Sequence, residues 1–350
     1  MNLEKIIDRG ITDSVFPGID TVIIKKGKTI FEAVKGYRQL FPEKAVLNPG
    51  TFFDMASLTK SLATAPVALA VFEQEKISLT EEISHFLNDI PEETGSITLL
   101  QLLTHTSGLP PVPDIYHLFP SDTLIQDEKI YKHLYALKPL NLPGKNIIYS
   151  CTGYIFLSLI LKTITGKPLS KLYKEIISGP AKIDGLLFNP LKENIPPDKI
   201  AATEFCSWRN RWIHGEVHDE NSYCLNGEGG NAGLFGTAAS VEKYLSMMNS
   251  GRIFSPEVRS LMTTLQVKDA DENRTAGFLM QSKSSFAGPF WSNKAFGHTG
   301  FTGTSVWIDP EYEITIIVLT NRVHLGREQT ADKIKQFRKA FHSAVFKEFC

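Results

Sequence analysis

Two hairpin patterns, one near each end of the chain, constrain the fold more than any other feature. Residues 21–24 pair with residues 29–31 in the first pattern, and residues 302–308 pair with residues 313–319 in the second. Apolar residues at helical spacing lie outside both hairpins: Leu3, Ile6 and Ile7, then Ile334, Phe337, Phe341 and Val345. The simplest packing is one antiparallel sheet, built from both termini and covered by the terminal helices.

The middle of the chain has helical spacing instead, with proline-rich connections. Four stretches predict helices, at 57–73, 99–103, 153–165 and 169–177, and two more follow at 240–248 and 255–263. A length of 350 residues suits about two domains. We therefore expect an α+β fold with a discontinuous α/β sandwich domain (1–55 and 230–350). A mostly helical domain (56–229) supplies loops that line a cleft between the two.

Composition excludes several classes of protein. Lys plus Arg is 37 and Asp plus Glu is 38, with no long basic run, so nucleic acid is not an expected partner. The four cysteines form no C-x-x-C pair, which argues against a zinc ribbon, and four cysteines in 350 residues do not suit a disulfide scaffold. Apolar runs fall short of the ~20 residues of a membrane span. We expect a soluble, cytoplasmic protein, or a periplasmic one if a signal peptide has been removed.

Ser57 and Lys60 provide the first chemical signal. Residues three apart on a helix share a face, so the Ser57 hydroxyl and the Lys60 amine are expected to meet. A serine hydroxyl becomes a nucleophile when a base takes its proton. The apolar neighbours of Lys60 are expected to lower the pKa of the amine by desolvation, leaving it uncharged. A Ser-x-x-Lys tetrapeptide also arises by chance about once in a chain of this length, so other residues have to support it.

Two further segments supply candidate partners for this pair. Tyr149 stands at a helix start, where its hydroxyl is expected to contact Ser57 and shuttle the proton. The segment 297–303 enters a strand, and Gly300 and Gly303 allow a substrate to lie close to its edge. The N–H groups of Phe301 and Ser57 would then stabilise an oxyanion. Each segment also has a purely structural interpretation, as a core-edge tyrosine and as a glycine-rich hairpin.

Other motifs point to less favoured chemistry. His105 lies at a predicted helix end, where a structural role is favoured. His214 and His218 stand four residues apart with an acidic residue between them. This spacing suggests a metal site, but the pattern is not H-E-x-x-H. The glycine-rich segment 230–236 lacks the Gly-Lys-Ser/Thr ending of a nucleotide-binding loop. No G-x-S-x-G is present, so an α/β-hydrolase is disfavoured.

In this order, the motifs resemble the serine β-lactamase and penicillin-binding-protein superfamily, in particular its class C β-lactamase-like branch of esterases, DD-peptidases and D-aminopeptidases. The resemblance runs from about Gly18 to Arg322. Besides the segments above, it rests on residues 102–109, 215–221 and 232–238. It implies a β-lactamase-like fold without a metal or organic cofactor. It also implies that Ser57 forms an acyl-enzyme while Lys60 and Tyr149 transfer protons.

One position departs from the family pattern. Cys151 stands where the family's Tyr-x-Asn motif has an asparagine that binds the substrate amide, and a thiol is a weaker hydrogen-bonding partner. We therefore expect weak turnover of β-lactams. His298 falls where the family has Lys or His before Thr-Gly. With Thr299 and Gly300 it is expected to line the substrate site, where it holds a substrate carboxylate or tunes Tyr149.

The sequence thus predicts a serine hydrolase that acts on ester or amide bonds through an acyl-enzyme. Its expected partners are small-molecule or peptide substrates: short-chain esters, D-amino-acid peptides, muropeptide fragments and, weakly, β-lactams. Two alternatives stay open: a catalytically inactive relative that binds a ligand in the cleft, and a metallohydrolase that uses His214 and His218. The natural substrate and the oligomeric state are not predicted.

Overall fold

A nine-stranded antiparallel sheet forms the centre of the structure, a computed structural model that describes residues 3–350. The strand order is β3-β2-β1-β14-β13-β12-β11-β10-β9, and two small sheets (β4-β8-β5 and β6-β7) lie apart from it. The strands in chain order are β1 (Gly18–Lys25), β2 (Lys28–Gln39), β3 (Ala45–Val46), β4 (Phe53–Asp54), β5 (Leu186–Phe188), β6 (Phe205–Cys206), β7 (Arg211–Trp212), β8 (Leu234–Gly236), β9 (Val267–Lys268), β10 (Asn273–Arg274), β11 (Leu279–Met280), β12 (Phe296–Thr299), β13 (Ser305–Asp309) and β14 (Ile314–Thr320).

Helices cover both faces of the large sheet. The α-helices are α1 (Leu3–Thr12), α2 (Ala65–Gln74), α3 (Glu92–Gly95), α4 (Leu99–Leu103), α5 (Asp127–Tyr135), α6 (Cys151–Thr165), α7 (Leu169–Tyr173), α8 (Glu220–Cys224), α9 (Ala238–Ser250), α10 (Pro256–Thr263) and α11 (Ala331–Phe349). Two π-helical turns (Lys60–Thr64 and Lys174–Ser178) and five short 3₁₀ turns complete them: Ile83–His85, Ile115–Leu118, Asp122–Leu124, Pro197–Lys199 and Arg322–Leu325. Within residues 3–350, every helix is too short or too polar to cross a membrane.

The two ends of the chain meet in the sheet, as their hairpin patterns predict. Strand β1 pairs with β2 on one side and with β14 on the other, which places Ile19 opposite Thr320. Helices α1 and α11 cover one face, where buried side chains such as Ile7, Trp307 and Phe341 form one apolar core. Each such side chain contributes about 1.5–3 kcal/mol on burial. The predicted α+β fold with terminal helices on an antiparallel sheet is confirmed.

The other face of the sheet shares a larger core with the helices of the middle of the chain. Helix α6 lies inside this core, and its side chains from Tyr154 to Leu157 are fully buried. The Ser150 side chain caps α6 by accepting the Gly153 N–H, and Gly166 ends it at a φ of 68°. Because this core is continuous from sheet to helices, the predicted domain boundaries stay a prediction.

One predicted helix is different in the structure. Residues 57–73 were expected to form one α-helix, but a π-helical turn (Lys60–Thr64) precedes α2. Pro66 has no N–H to donate to the carbonyl four residues earlier. The Ala65 N–H donates to the carbonyl of Lys60, five residues earlier, which is the wider i→i+5 bond of a π-helix. This turn lies directly beside the predicted nucleophile.

Candidate active site

A strained turn after β4 presents Ser57. Ala56 has a φ of 45°, a left-handed conformation that is costly for a residue with a Cβ atom. The Ala56 N–H donates to Asp54 Oδ1 at 2.7 Å, and the Ala56 carbonyl accepts the Thr59 hydroxyl at 2.6 Å. Thr59 Oγ1 in turn accepts the Leu234 N–H at 3.0 Å. These bonds fix the turn against β8 and hold Ser57 in one position.

The structure brings Ser57, Lys60 and Tyr149 together, as their sequence context predicts. Lys60 Nζ lies 2.9 Å from Ser57 Oγ and 5.0 Å from the centre of the Tyr149 ring, and Ser57 and Tyr149 line one cleft. Lys60 Nζ also donates to the Asn231 carbonyl at 2.8 Å, and the lysine is fully buried. Sequence reasoning missed this acceptor because a main-chain carbonyl leaves no residue signature.

The protonation of this pair differs from the sequence prediction. Burial lowers the pKa of Lys60, but its interactions with Cys151 and Tyr149 raise it by more, so the net direction is upward. Burial also raises the pKa of Tyr149, although the charge of Lys60 opposes this. The site at rest therefore holds an ammonium and a neutral phenol. The expectation of an uncharged amine is wrong because it considered desolvation alone.

The turn that carries Phe301 is bound to the turn that carries Ser57. The Thr302 hydroxyl donates to the Asp54 carbonyl at 2.7 Å, and the Thr304 hydroxyl donates to the Met55 carbonyl at 3.1 Å. A Cβ atom on Gly300 would lie 2.5 Å from the Met55 carbonyl oxygen, so this close approach requires glycine. In the described chain, the N–H groups of Ser57 and Phe301 donate to no protein acceptor. Both donors are free for an oxyanion.

A cleft of about 500 Å³ opens in front of Ser57 and Tyr149. His298, Thr299, Gly300 and Phe301 line it, as predicted, and so do five charged side chains: Glu272, Arg274, Arg322, Lys335 and Arg338. Four of these five are cations, and Arg338 stays one at neutral pH although burial lowers its pKa to about 9. The cleft therefore favours an anionic group on its ligand.

Arg274 is the charged residue that most directly faces the candidate catalytic groups. Its guanidinium carbon lies 5.6 Å from the centre of the Tyr149 ring. Glu272 Oε2 accepts from both Nε and Nη2 of Arg274, at 3.0 and 2.7 Å, which fixes the guanidinium. Sequence reasoning missed the pair because the two-residue strand β10 has no detectable periodicity.

His298 is neutral in the cleft. Its Nδ1 donates to the Thr299 carbonyl at 2.8 Å. Burial, followed by the charges of Arg274 and Lys60, holds the pKa of His298 well below its usual range. A neutral imidazole that donates from Nδ1 has a lone pair on Nε2, so it accepts a hydrogen bond. A neutral imidazole does not favour the predicted binding of a substrate carboxylate, which stays a prediction, whereas the ring lies close to Tyr149, with 5.9 Å between ring centres.

Cys151 and His105 lie on the far side of the tyrosine. Cys151 is the first residue of α6, half-buried and close enough to Lys60 to affect its pKa, and all four cysteines are free thiols. It is not among the residues that line the cleft. His105 packs between Tyr149 and Tyr154, with ring-centre distances of 4.6 and 5.0 Å. Its Nδ1 accepts the Ser150 N–H at 3.1 Å, which is the structural role that the sequence favours.

The two histidines of the metal alternative have separate partners. His214 Nε2 hydrogen-bonds the Ile200 carbonyl at 2.9 Å, whereas His218 Nε2 contacts Glu204 Oε1 at 2.7 Å. Among residues 3–350, no cluster of three or more histidine, cysteine, aspartate or glutamate residues has the arrangement of a metal site. The geometry therefore does not favour a metallohydrolase that uses these two histidines.

Comparisons with known proteins identify a family for the chain. A family model described as Beta-lactamase matches residues 3–340. The chain is 31% identical to the N-acetylmuramyl-L-alanine amidase of Bacillus subtilis (strain 168), over 92% of this chain and 80% of that protein. It is 28% identical to a putative D-alanyl-D-alanine carboxypeptidase of Escherichia coli (strain K12), over 92% and 83% of the two chains.

Solved structures show the same fold at lower identity. The octameric penicillin-binding protein homologue from Pyrococcus abyssi superimposes with a TM-score of 0.73 at 23% identity, covering 91% of this chain and 72% of that one. EstCE1, a hydrolase with promiscuous acyltransferase activity, gives a TM-score of 0.75 at 20% identity, covering 96% and 97%. The match over nearly the whole chain shows that this protein belongs to the Beta-lactamase family.

Proposed function

We propose that the chain is a serine hydrolase that cleaves ester or amide bonds through an acyl-enzyme on Ser57. The observation that carries the proposal is the 2.9 Å contact between Lys60 Nζ and Ser57 Oγ, with the Tyr149 ring centre 5.0 Å from Lys60 Nζ. This arrangement meets the needs of nucleophilic catalysis, a hydroxyl in contact with a group that takes its proton. A protein that only binds a ligand has no need of it.

The acylation step follows from these contacts. The ammonium–phenol pair of Lys60 and Tyr149 first loses one proton to solvent, which leaves a base beside Ser57. Ser57 Oγ attacks the carbonyl carbon as its proton passes to that base, and the N–H groups of Ser57 and Phe301 stabilise the oxyanion. The carbonyl re-forms as the leaving group departs with a proton from Tyr149. Water then attacks the acyl-enzyme with the same groups in reversed roles, which regenerates Ser57.

The charges of the cleft favour substrates that carry a carboxylate. Four cations and one carboxylate line it, and the guanidinium of one of these cations, Arg274, lies 5.6 Å from the Tyr149 ring centre. The relatives named as an amidase and as a carboxypeptidase support peptides of this kind. We therefore propose D-amino-acid peptides or muropeptide fragments as substrates, with short-chain esters as simple surrogates. Because Cys151, beside Lys60, replaces the asparagine of the family pattern, we propose that β-lactams are weak substrates.

Substitution of the nucleophile tests the proposal. Ser57→Ala should lower the hydrolysis of p-nitrophenyl butyrate and of a D-Ala-D-Ala peptide by at least about 10³-fold. Ser260→Ala is the matched control because Ser260 is exposed on α10, away from the cleft. Undiminished turnover by Ser57→Ala would reject the proposal. Loss of activity on chelation, with Ser57→Ala still active, would favour the metallohydrolase instead.

A further inference from the structure

A buried glutamate–histidine pair lies against the turn that carries Phe301. His218 Nε2 contacts Glu204 Oε1 at 2.7 Å, and the His218 and Glu204 residues are only 4% and 8% exposed. The His218 ring stacks on the Phe301 ring, with 5.7 Å between their centres and 25° between their planes. Neither His218 nor Glu204 lines the cleft, so the proposed chemistry gives them no role. The His218 ring instead contacts Phe301, whose N–H is a proposed oxyanion donor.

The main chain of His218 also reaches the turn that presents the other donor. The His218 N–H donates to Asp54 Oδ2 at 2.6 Å. Asp54 Oδ1 accepts the N–H of Ala56, the residue directly before Ser57, at 2.7 Å. His218 therefore contacts Phe301 through its ring and is linked through Asp54 to the turn that carries Ser57.

Charged side chains around Glu204 hold the glutamate–histidine pair in place. Arg327 Nε donates to Glu204 Oε1 at 2.6 Å, and Arg327 Nη2 donates to Glu220 Oε1 at 2.8 Å. Burial raises the pKa of Glu204, but the bonds from His218 and Arg327 lower it by more, so Glu204 is ionised at neutral pH. The Phe301 ring is 48% exposed, so its position depends on the few groups that contact it, among them His218 and Arg322.

We propose that His218, oriented by Glu204, is a positioning residue that aligns the Phe301 N–H with the Ser57 N–H. The inference rests on the proposed serine hydrolase function. Its effect arises because an oxyanion donor is useful only near hydrogen-bond distance of the developing charge. A displacement of about 1 Å at a reacting site costs about 10²-fold in rate.

The first experiment separates the His218 ring from its main chain. His218→Ala keeps the N–H that donates to Asp54 but removes the ring and its bond to Glu204. We expect the acylation rate to fall about 10²-fold and KM to stay within about threefold of wild type. The affinity for a boronic acid that forms a tetrahedral adduct on Ser57 should fall by the same factor as the acylation rate. His214→Ala is the control, since the His214 ring bonds the Ile200 carbonyl and, within residues 3–350, has no recognised contact with Phe301.

Rates are normalised to the concentration of sites that a fluorophosphonate titrates. A variant that is only less well folded has fewer titratable sites but a normal rate per site. Equal behaviour of His218→Ala and His214→Ala per titrated site would overturn the proposal, as would a loss confined to KM.

The second experiment tests the link to Glu204. Glu204→Ala should cause a similar loss. The double variant His218→Ala/Glu204→Ala should acylate at a rate within about threefold of either single variant, because both residues act through one contact. Glu204→Gln retains an oxygen acceptor and should stay within about threefold of wild type. Additive losses in the double variant would overturn the link. Turnover that survives Ser57→Ala would instead reject the proposed function, so the two failures are distinct.

Discussion

Replacing Asp20 with asparagine should stabilise the sheet that carries the candidate site, and the gain should depend on pH. Asp20 lies on β1 between Val34 of β2 and Leu319 of β14, and it is only 5% exposed. Burial, with a smaller contribution from the charge of Glu32, raises the pKa of the Asp20 carboxyl from 3.8 to about 6. The folded protein therefore binds this proton more tightly than the unfolded chain does.

The size of the effect follows from the two pKa values. They differ by about two pH units, and each unit corresponds to about 1.4 kcal/mol. Ionised Asp20 thus lowers the free energy of unfolding by about 3 kcal/mol at a pH above both values. The penalty is absent below the unfolded pKa and grows as the pH rises towards the folded one. At about pH 4.5 it is only about 1 kcal/mol.

Urea unfolding of the wild type and Asp20→Asn at two pH values measures this difference. We expect Asp20→Asn to gain about 3 kcal/mol at about pH 8 and about 1 kcal/mol at about pH 4.5. Glu32→Gln is a control because Glu32 is exposed on β2 and should change stability by less than about 1 kcal/mol. A gain that is equal at both pH values, or a loss at pH 8, would refute the reasoning.

Three further predictions concern the site. The pKa of Lys60 is raised, so kcat/KM should increase with pH as the pair with Tyr149 loses its proton; a flat profile from about pH 6 to 9 would contradict this. Arg274→Ala should raise KM about tenfold for a peptide with a free carboxylate but not for its amide, and an equal change in both would exclude carboxylate binding. Cys151→Asn should increase acylation by nitrocefin about tenfold relative to p-nitrophenyl butyrate hydrolysis, and an unchanged ratio would show that Cys151 does not limit β-lactam binding.

Features that depend on neighbouring residues in the chain could be predicted from the sequence. The two hairpins follow from alternation over a few residues, and the contact of Ser57 with Lys60 follows from their spacing of three. Tyr149 and Phe301 were expected at the same site, and the structure brings both to the cleft. Their order along the chain, rather than any single motif, carried that expectation.

Features that depend on distant packing could not be predicted. The net rise in the pKa of Lys60 requires Cys151 and Tyr149 beside it, and these residues lie far along the chain, at the start of α6 and just before it. Arg274 reaches the cleft from a two-residue strand without a pattern. His218 looked like half of a metal site, because spacing alone does not show that its ring faces Glu204 and Phe301. In each case the tertiary contact, not the local sequence, decides the chemistry.

Trapping the covalent intermediate tests the central claim most directly. The protein is mixed with a fluorophosphonate or a slowly hydrolysed activated ester, its intact mass is measured, and the modified peptide is sequenced. The account predicts one added acyl or phosphonyl group per chain, located on Ser57 and absent in Ser57→Ala. An unmodified chain, or a group attached to another residue, would contradict it.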